Sequence, residues 1–269
     1  MPNGRVGRTF SLAVDRRGRY GLYENEIELV RSRDLERVRE ALIGSAGFYF
    51  AESSPARTFI HAGVVGWQGH GILLPGRQNS GKTTLTAALV RAGATYLSDE
   101  FAPIDDRGRV HPFPRPLSFR RDDGRSVKLR PVETIGGAQG MRSLPVGLVV
   151  IAPFSDGRRW RPRRLVPGRG VLEILAYTGS AQTRPRQALD RLARVVARAP
   201  VLKGGRGEAD ETARLILKRL EATISSGSNG AGHASSYNSP KPRQDFAQPQ
   251  DFGANLRAAH RTTERSIRT

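Results

Sequence analysis

Gly76, Gly81, Lys82 and Thr83 stand within the stretch GRQNSGKTTL at the spacing G-x-x-x-x-G-K-[ST]. That spacing suits a loop whose backbone N–H groups, from Gly76 through Arg77, Gln78, Asn79, Ser80 and Gly81, turn inward around phosphate oxygens. Lys82 then reaches the β and γ phosphates, the Thr83 hydroxyl is a ligand for Mg2+, and Thr84 continues the helix whose positive N-terminal end faces the anion. The pattern points to ATP and Mg2+ but not to a reaction, since motors, transporters, switches and kinases share it. Two further features narrow the chemistry. Asp99 and Glu100 are adjacent carboxylates, able to divide two tasks between them: one holds a metal, the other takes the proton of an attacking hydroxyl. His61 is the third candidate, an imidazole at the start of an apolar run.

These residues act together only if the chain positions them. GILLP, ending at Pro75, reads as a strand feeding the loop, and Lys82 to Ala92 reads as a helix with Leu85, Ala88, Leu89 and Ala92 on one face and a glycine exit at Gly93. ATYL then forms a short strand ending at Ser98. A strand–helix–strand unit crosses over right-handed and leaves both strands parallel, so Asp99 emerges beside the loop. Asp156 is the alternative metal ligand, on a later strand, but Ala152, Pro153 and Phe154 separate Ser155 from the last aliphatic residue, Ile151. FIHAGVVGW and GHGILLPG form a hairpin about Gln68-Gly69, which sets His61 across from Pro75 or Gly76 at the loop entrance.

Composition bounds the rest. The chain has 269 residues and 38% hydrophobic content, enough for one α/β domain with a small appendage. No apolar run reaches membrane-spanning length and no apolar stretch follows the basic N-terminus, so a cytoplasmic protein without membrane association is expected. With Cys 0, disulfide, zinc-ribbon and thiol chemistry are excluded. The net charge of +19 raises nucleic-acid binding, but the basic residues are overwhelmingly arginine, scattered along the chain, and the densest clusters lack interleaved aromatics.

The remaining organisation follows from patterning. Residues 1–57 read as a small β/α lead-in, with strands in TFSLAV and YGLYENEIELV and a helix over Asp34–Leu42. Residues 58–223 form the nucleotide-binding domain. Within it, 101–145 reads as loops and short strands available for substrate contacts. Pro145–Phe154 is a buried strand, Arg186–Ala199 a helix with Leu189, Leu192 and Val196 on its stripe, and Ala209–Glu221 a second helix. Residues 224–269, rich in Ser, Gly, Asn, Pro and Gln, are expected to be a disordered tail.

Arg57 to Glu100 (RTFIHAGVVGWQGHGILLPGRQNSGKTTLTAALVRAGATYLSDE) resembles the catalytic segment of the HPr kinase/phosphorylase C-terminal domain, which shares a core with phosphoenolpyruvate carboxykinase. The likeness lies in a histidine opening a hairpin, the hairpin feeding the loop, one short helix, and the run Gly93 to Glu100 ending in paired acids. VHPFPRPLSFR, a late aliphatic strand and ARAPVLKGG extend it more loosely toward Leu220. The resemblance implies an α/β phosphate-loop fold in which Gly76–Thr83 bind the nucleotide, Thr83 and Asp99 serve Mg2+, and Glu100 or Asp99 activates the acceptor with His61 alongside. The family's acidic–arginine signature loop, tied to HPr recognition and phosphorolysis, has no counterpart in GGAQGMRSLP, and its N-terminal domain is replaced by the lead-in.

The reading is therefore a Mg2+- and ATP-dependent kinase acting on a hydroxyl of a protein, a peptide or a small molecule, with Arg115 and Arg120 as hypothetical clamps and homo-oligomerisation left open. A nucleotide sensor without transfer and an arginine-rich nucleic-acid binder are the alternatives.

Overall fold

The computed structural model describes residues 7–77, 79–120 and 127–228. Residues 1–6, Gln78, the run 121–126 and the tail from 229 onward lie outside the described residues.

The lead-in is an antiparallel meander, β1 (Phe10–Val14), β2 (Tyr20–Glu24) and β3 (Ile27–Ser32), followed by α1 (Leu35–Ser53). Asp15 builds the first turn by accepting the N–H groups of Arg17 (2.9 Å) and Arg19 (3.0 Å). Asp34 caps α1 through the N–H of Glu36. The helix is far longer than the Asp34–Leu42 expected. Gly44 and Gly47 lower local helix propensity, but the helix continues through them, with Gly47 facing Arg115 and Phe101: a Cβ there would lie 3.6 Å from the Arg115 guanidinium and 3.7 Å from Phe101.

The principal sheet begins with the hairpin β4 (Thr58–Trp67) and β5 (His70–Pro75), then α2 (Lys82–Arg91), β6 (Thr95–Ser98), β7 (Phe101–Ile104) and β8 (Arg109–Val110). A separate hairpin, β9 (Leu117–Arg120) and β10 (Val127–Arg130), precedes β11 (Leu144–Ile151). β12 (Arg163–Arg164), α3 (Pro167–Leu175), α4 (Pro185–Arg198), β13 (Val201–Lys203) and α5 (Ala209–Ser228) complete the order. The eight-stranded sheet runs β12-β13-β11-β5-β4-β7-β8, with β6 also on β4. β11 is parallel to β5 and to β13, while β4 is antiparallel to β5, β6 and β7. β8 pairs with both β7 and the start of β11, so the sheet curls until one edge meets its own middle.

Both faces are covered, as the unbroken apolar runs of β5 and β11 require. Alternation sorts the side chains: Ile72, Leu74, Leu148 and Val150 join the core under α2 and α5, whereas Leu73, Val149 and Ile151 join the core under α3 and α4. α2 lies close on the sheet because Gly63 has no side chain: a Cβ there would sit 2.3 Å from the Thr86 hydroxyl.

Four expectations need correction. Ala92 is exposed, and Leu85 to Val90 form the buried part of α2. In α4, Leu189 is 39% exposed, while Ala188, Val195 and Arg191 are buried beside Leu192 and Val196. Arg191 binds Asp106 (2.8 Å), Thr58 (3.3 Å) and the Pro55 carbonyl (3.0 Å), pinning α4 to the start of β4. Residues 224–228, assigned to the tail by composition, continue α5, whose C-terminal half is tied to the hairpin by Glu221, which accepts from Trp67 (3.1 Å) and Gln68 (3.2 Å). β7, within the 101–145 region expected to offer substrate contacts, is wholly buried.

Candidate functional site

β5 ends at Pro75 and releases the chain into the loop. Asn79 (φ 66°) and Gly81 (φ 83°) both take left-handed backbone, and α2 starts at Lys82 directly behind them. A Cβ at Gly76 would fall 2.6 Å from the Ser80 hydroxyl and 3.2 Å from Lys82 Cγ, so only glycine leaves room for the lysine to fold back across the loop. The Lys82 ammonium donates to the carbonyls of Gly76 (2.8 Å) and Arg77 (2.7 Å) and lies 3.0 Å from His61 Nε2. Burial lowers its pKa to about 8.

His61 takes the place expected for it: the hairpin pairs Ala62 with Pro75, and the Gly76 N–H reaches the His61 carbonyl at 3.4 Å. Burial, and then the Lys82 charge, push the imidazole pKa down to about 3. It is therefore neutral at pH 7. The Lys82 bond assigns its proton to Nδ1, which is buried and without a hydrogen-bond partner. This geometry makes His61 an acceptor for Lys82, with its lone pair committed, rather than a free base.

The acidic pair interrupts one line of chain. β6 and β7 both run antiparallel to β4, and Ser98 sits between them with its hydroxyl accepting the N–H groups of Glu100 (3.3 Å) and Phe101 (3.2 Å). The bend presents both carboxylates toward α2. Thr83 Oγ1 donates to Asp99 Oδ2 at 2.7 Å. Asp99 Oδ1 is buried and has no hydrogen-bond partner. Burial pushes its pKa up to about 6, against the opposing pull of the Thr83 bond and Lys82. Glu100 is ion-paired with Arg115, and burial raises its pKa also. Arg115 is thus engaged by Glu100, which it follows in sequence, and the side chain of Arg120 is not among those described.

The crossover places these groups as the strand-order rule anticipated: β5 and β6 flank β4 and run in the same direction. A cavity of about 130 Å³ opens at the carboxyl ends of the parallel strands β5 and β11, bounded by Gly76, Arg77, Ser80, Lys82, Pro153 and Tyr177. Such carboxyl ends are where open α/β sheets bind ligands. Thr84 is exposed on the outer side of α2, and Asp156 is exposed with its carboxylate on the N–H of Gly157.

Phosphate and a divalent cation fit this donor set. The loop offers glycine-lined space, and the unsatisfied Asp99 oxygen, costing about 1–3 kcal/mol while unpaired, would be offset by a cation. Among the described residues no group of three or more His, Asp or Glu converges for metal binding. A cation here would take most of its shell from phosphate and water, as Mg2+ does.

Arg206 was not anticipated. It is 2% exposed, donates to the Gly81 carbonyl (2.8 Å) and the Gly207 carbonyl (2.7 Å), and lies over Phe154 at 5.6 Å. Its Nε is buried without a hydrogen-bond partner. The loop after β11 joins it: the Phe154 N–H binds the Ser80 carbonyl at 3.2 Å. No local signal marks Arg206, which stands in a glycine-rich turn distant from the loop in sequence.

No protein-family model matches the chain, and no curated protein matches it. Among solved structures, an HPr(Ser) kinase/phosphatase from Coxiella burnetii superimposes with a TM-score of 0.39 and 15% identity, over 64% of this chain and 95% of that one. A superposition this loose does not establish a shared fold.

Proposed function

We propose that the protein is an ATP-dependent kinase that transfers the γ-phosphoryl group to a hydroxyl. The observation that carries this reading is the Thr83–Asp99 bond beside Lys82, with a second carboxylate, Glu100, next in the chain. A nucleotide sensor has use for one metal-holding carboxylate; a transferase also needs a group to receive the acceptor's proton. Lys82 neutralises charge on the β and γ phosphates, and its hydrogen bond to His61 holds it in position. Mg2+, held by Thr83 and Asp99, would supply charge neutralisation between the phosphates. Glu100, oriented by Arg115, takes the acceptor's proton on the carboxylate. Phosphoryl transfer needs little more from a protein than positioning and charge neutralisation.

The test is incubation with γ-labelled ATP, Mg2+ and a cell extract. Labelled acceptor is expected with wild type and none with Lys82→Ala. Tight ATP binding with no labelled product would reassign the protein as a sensor. The acceptor is a protein, peptide or small molecule, and separating the extract by size before counting the label distinguishes these classes.

A further inference from the structure

At the end of the sheet away from the phosphate loop, a pocket of about 170 Å³ opens between the β7–β8 turn, the start of β11 and the C-terminal half of α4. Arg107, Arg109, Arg194 and Arg198 wall it over a floor of Pro145 and Val146, and no carboxylate lines it. The two acids of the β7–β8 turn are already committed. Asp105 accepts the N–H groups of Arg107 and Arg109 (2.9 Å each) and meets His111 at 2.8 Å, while Asp106 binds Arg191. Arg109 is held by Ser143, through its hydroxyl at 3.2 Å and its carbonyl, and Arg198 reaches the Arg107 carbonyl at 3.4 Å. The guanidinium groups of Arg107 and Arg194 have no partner among the described residues.

Four like charges converging on a concave surface repel one another, and Arg194 and Arg198, one helical turn apart, do so directly. The backbone that carries the walls is nevertheless fixed, and Arg109 and Arg198 are held on it. The turn is closed by Gly108 N–H to the Asp105 carbonyl (3.0 Å) and by Asp105 N–H to the Arg109 carbonyl (3.1 Å). Gly108, at φ 73°, takes left-handed backbone that favours glycine and rests against α4, where a Cβ would be in ordinary contact 3.4 Å from the Arg194 backbone. Two anchored guanidinium groups and two uncommitted ones around one concavity are forked donors suited to phosphate oxygens.

We propose that this pocket binds a small phosphate-bearing anion at a second site, distinct from the nucleotide site. Its volume admits one or two phosphate groups and not the length of a polymer. Val146 pairs in register with Gly71 at the start of β5, and the loop begins after Pro75 at the other end of that strand. The two sites are thus separated by the length of a strand, roughly 15 Å, and both can be filled at once.

Inorganic pyrophosphate is the probe, titrated calorimetrically at physiological salt into full-length Lys82→Ala, in which the phosphate loop is disabled. Binding is expected there, weakened at least tenfold when Arg107→Ala and Arg194→Ala are added. Neither guanidinium supports the fold, so the melting temperature of the combined variant should not fall. Equal isotherms for the two chains, or no binding to Lys82→Ala, would overturn the proposal. A short oligonucleotide that binds where pyrophosphate does not would also overturn it and mark a polymer-binding surface. The comparison is made without a working phosphate loop, so it stands or falls separately from the kinase reading.

Discussion

Glu100 is the residue on which transfer, as distinct from binding, depends. Glu100→Gln removes the proton acceptor while keeping the shape, so ATP affinity should stay within about threefold and labelled product should fall by 10²-fold or more. Equal transfer by both proteins would remove Glu100 from the mechanism. His61 makes a separate prediction through its pKa. The imidazole titrates near 3 in the folded chain and near 6.5 when unfolded, so the unfolded state binds the extra proton and stability drops as pH falls below 6.5. Between pH 7 and pH 5 the loss is about 2 kcal/mol. Asp99, raised to about 6, acts in the opposite direction over the same range. The wild type should therefore be compared with His61→Gln by denaturant melts at both values, where a difference that does not change with pH would contradict the buried neutral imidazole. Lys82, Thr83, Asp99 and Glu100 could be read from spacing, because a phosphate loop and a strand end fix side chains locally. Arg206 could not, because its contact with Gly81 exists only after β13 is laid beside β11.

Elements explain how local motifs became a site. The strand–loop–helix–strand unit was legible because alternating apolar residues, paired glycines and a glycine exit each fix one step of it. What the sequence hid was the interruption after Ser98: β6 and β7 both belong beside β4, and the bend between them is what turns Asp99 and Glu100 toward α2. The start of α1 was legible from Leu35, Val38 and Leu42, but its continuation to Ser53 was not, since Gly44 and Gly47 weaken local helix propensity and the contact with Phe101 and Arg115 is tertiary. Close packing governs α2. Gly63→Ala should force Thr86 and the helix outward, costing about 1–3 kcal/mol and weakening ATP binding through displacement of Lys82 and Thr83. A melt and a nucleotide titration on the same variant check both halves, and unchanged values would show that α2 adjusts without cost.

On the scale of the whole molecule, the described residues form one compact unit with helices on both faces of a curled mixed sheet. The α/β class was legible from alternating strand and helix patterns. The curl was not, because it depends on β8, two residues long, pairing at both of its sides. The net charge of +19 says little by itself, since arginine serves here as a core strut in Arg191, a loop support in Arg206 and a pocket wall in Arg194. Among the described residues no helix is long and apolar enough to cross a membrane. Removing residues 229–269 should leave cooperative melting and ATP binding intact, because a segment rich in Ser, Gly, Asn, Pro and Gln has little apolar surface to bury. Loss of either would assign the segment a structural role. The central claim is that Thr83 and Asp99 bring a cation to phosphates held by Lys82. Its most direct test is ATP affinity measured with and without Mg2+ in wild type and Asp99→Asn. The account predicts at least tenfold tightening by Mg2+ in wild type and little or none in the variant, with metal-free binding retained; equal tightening in both would contradict it.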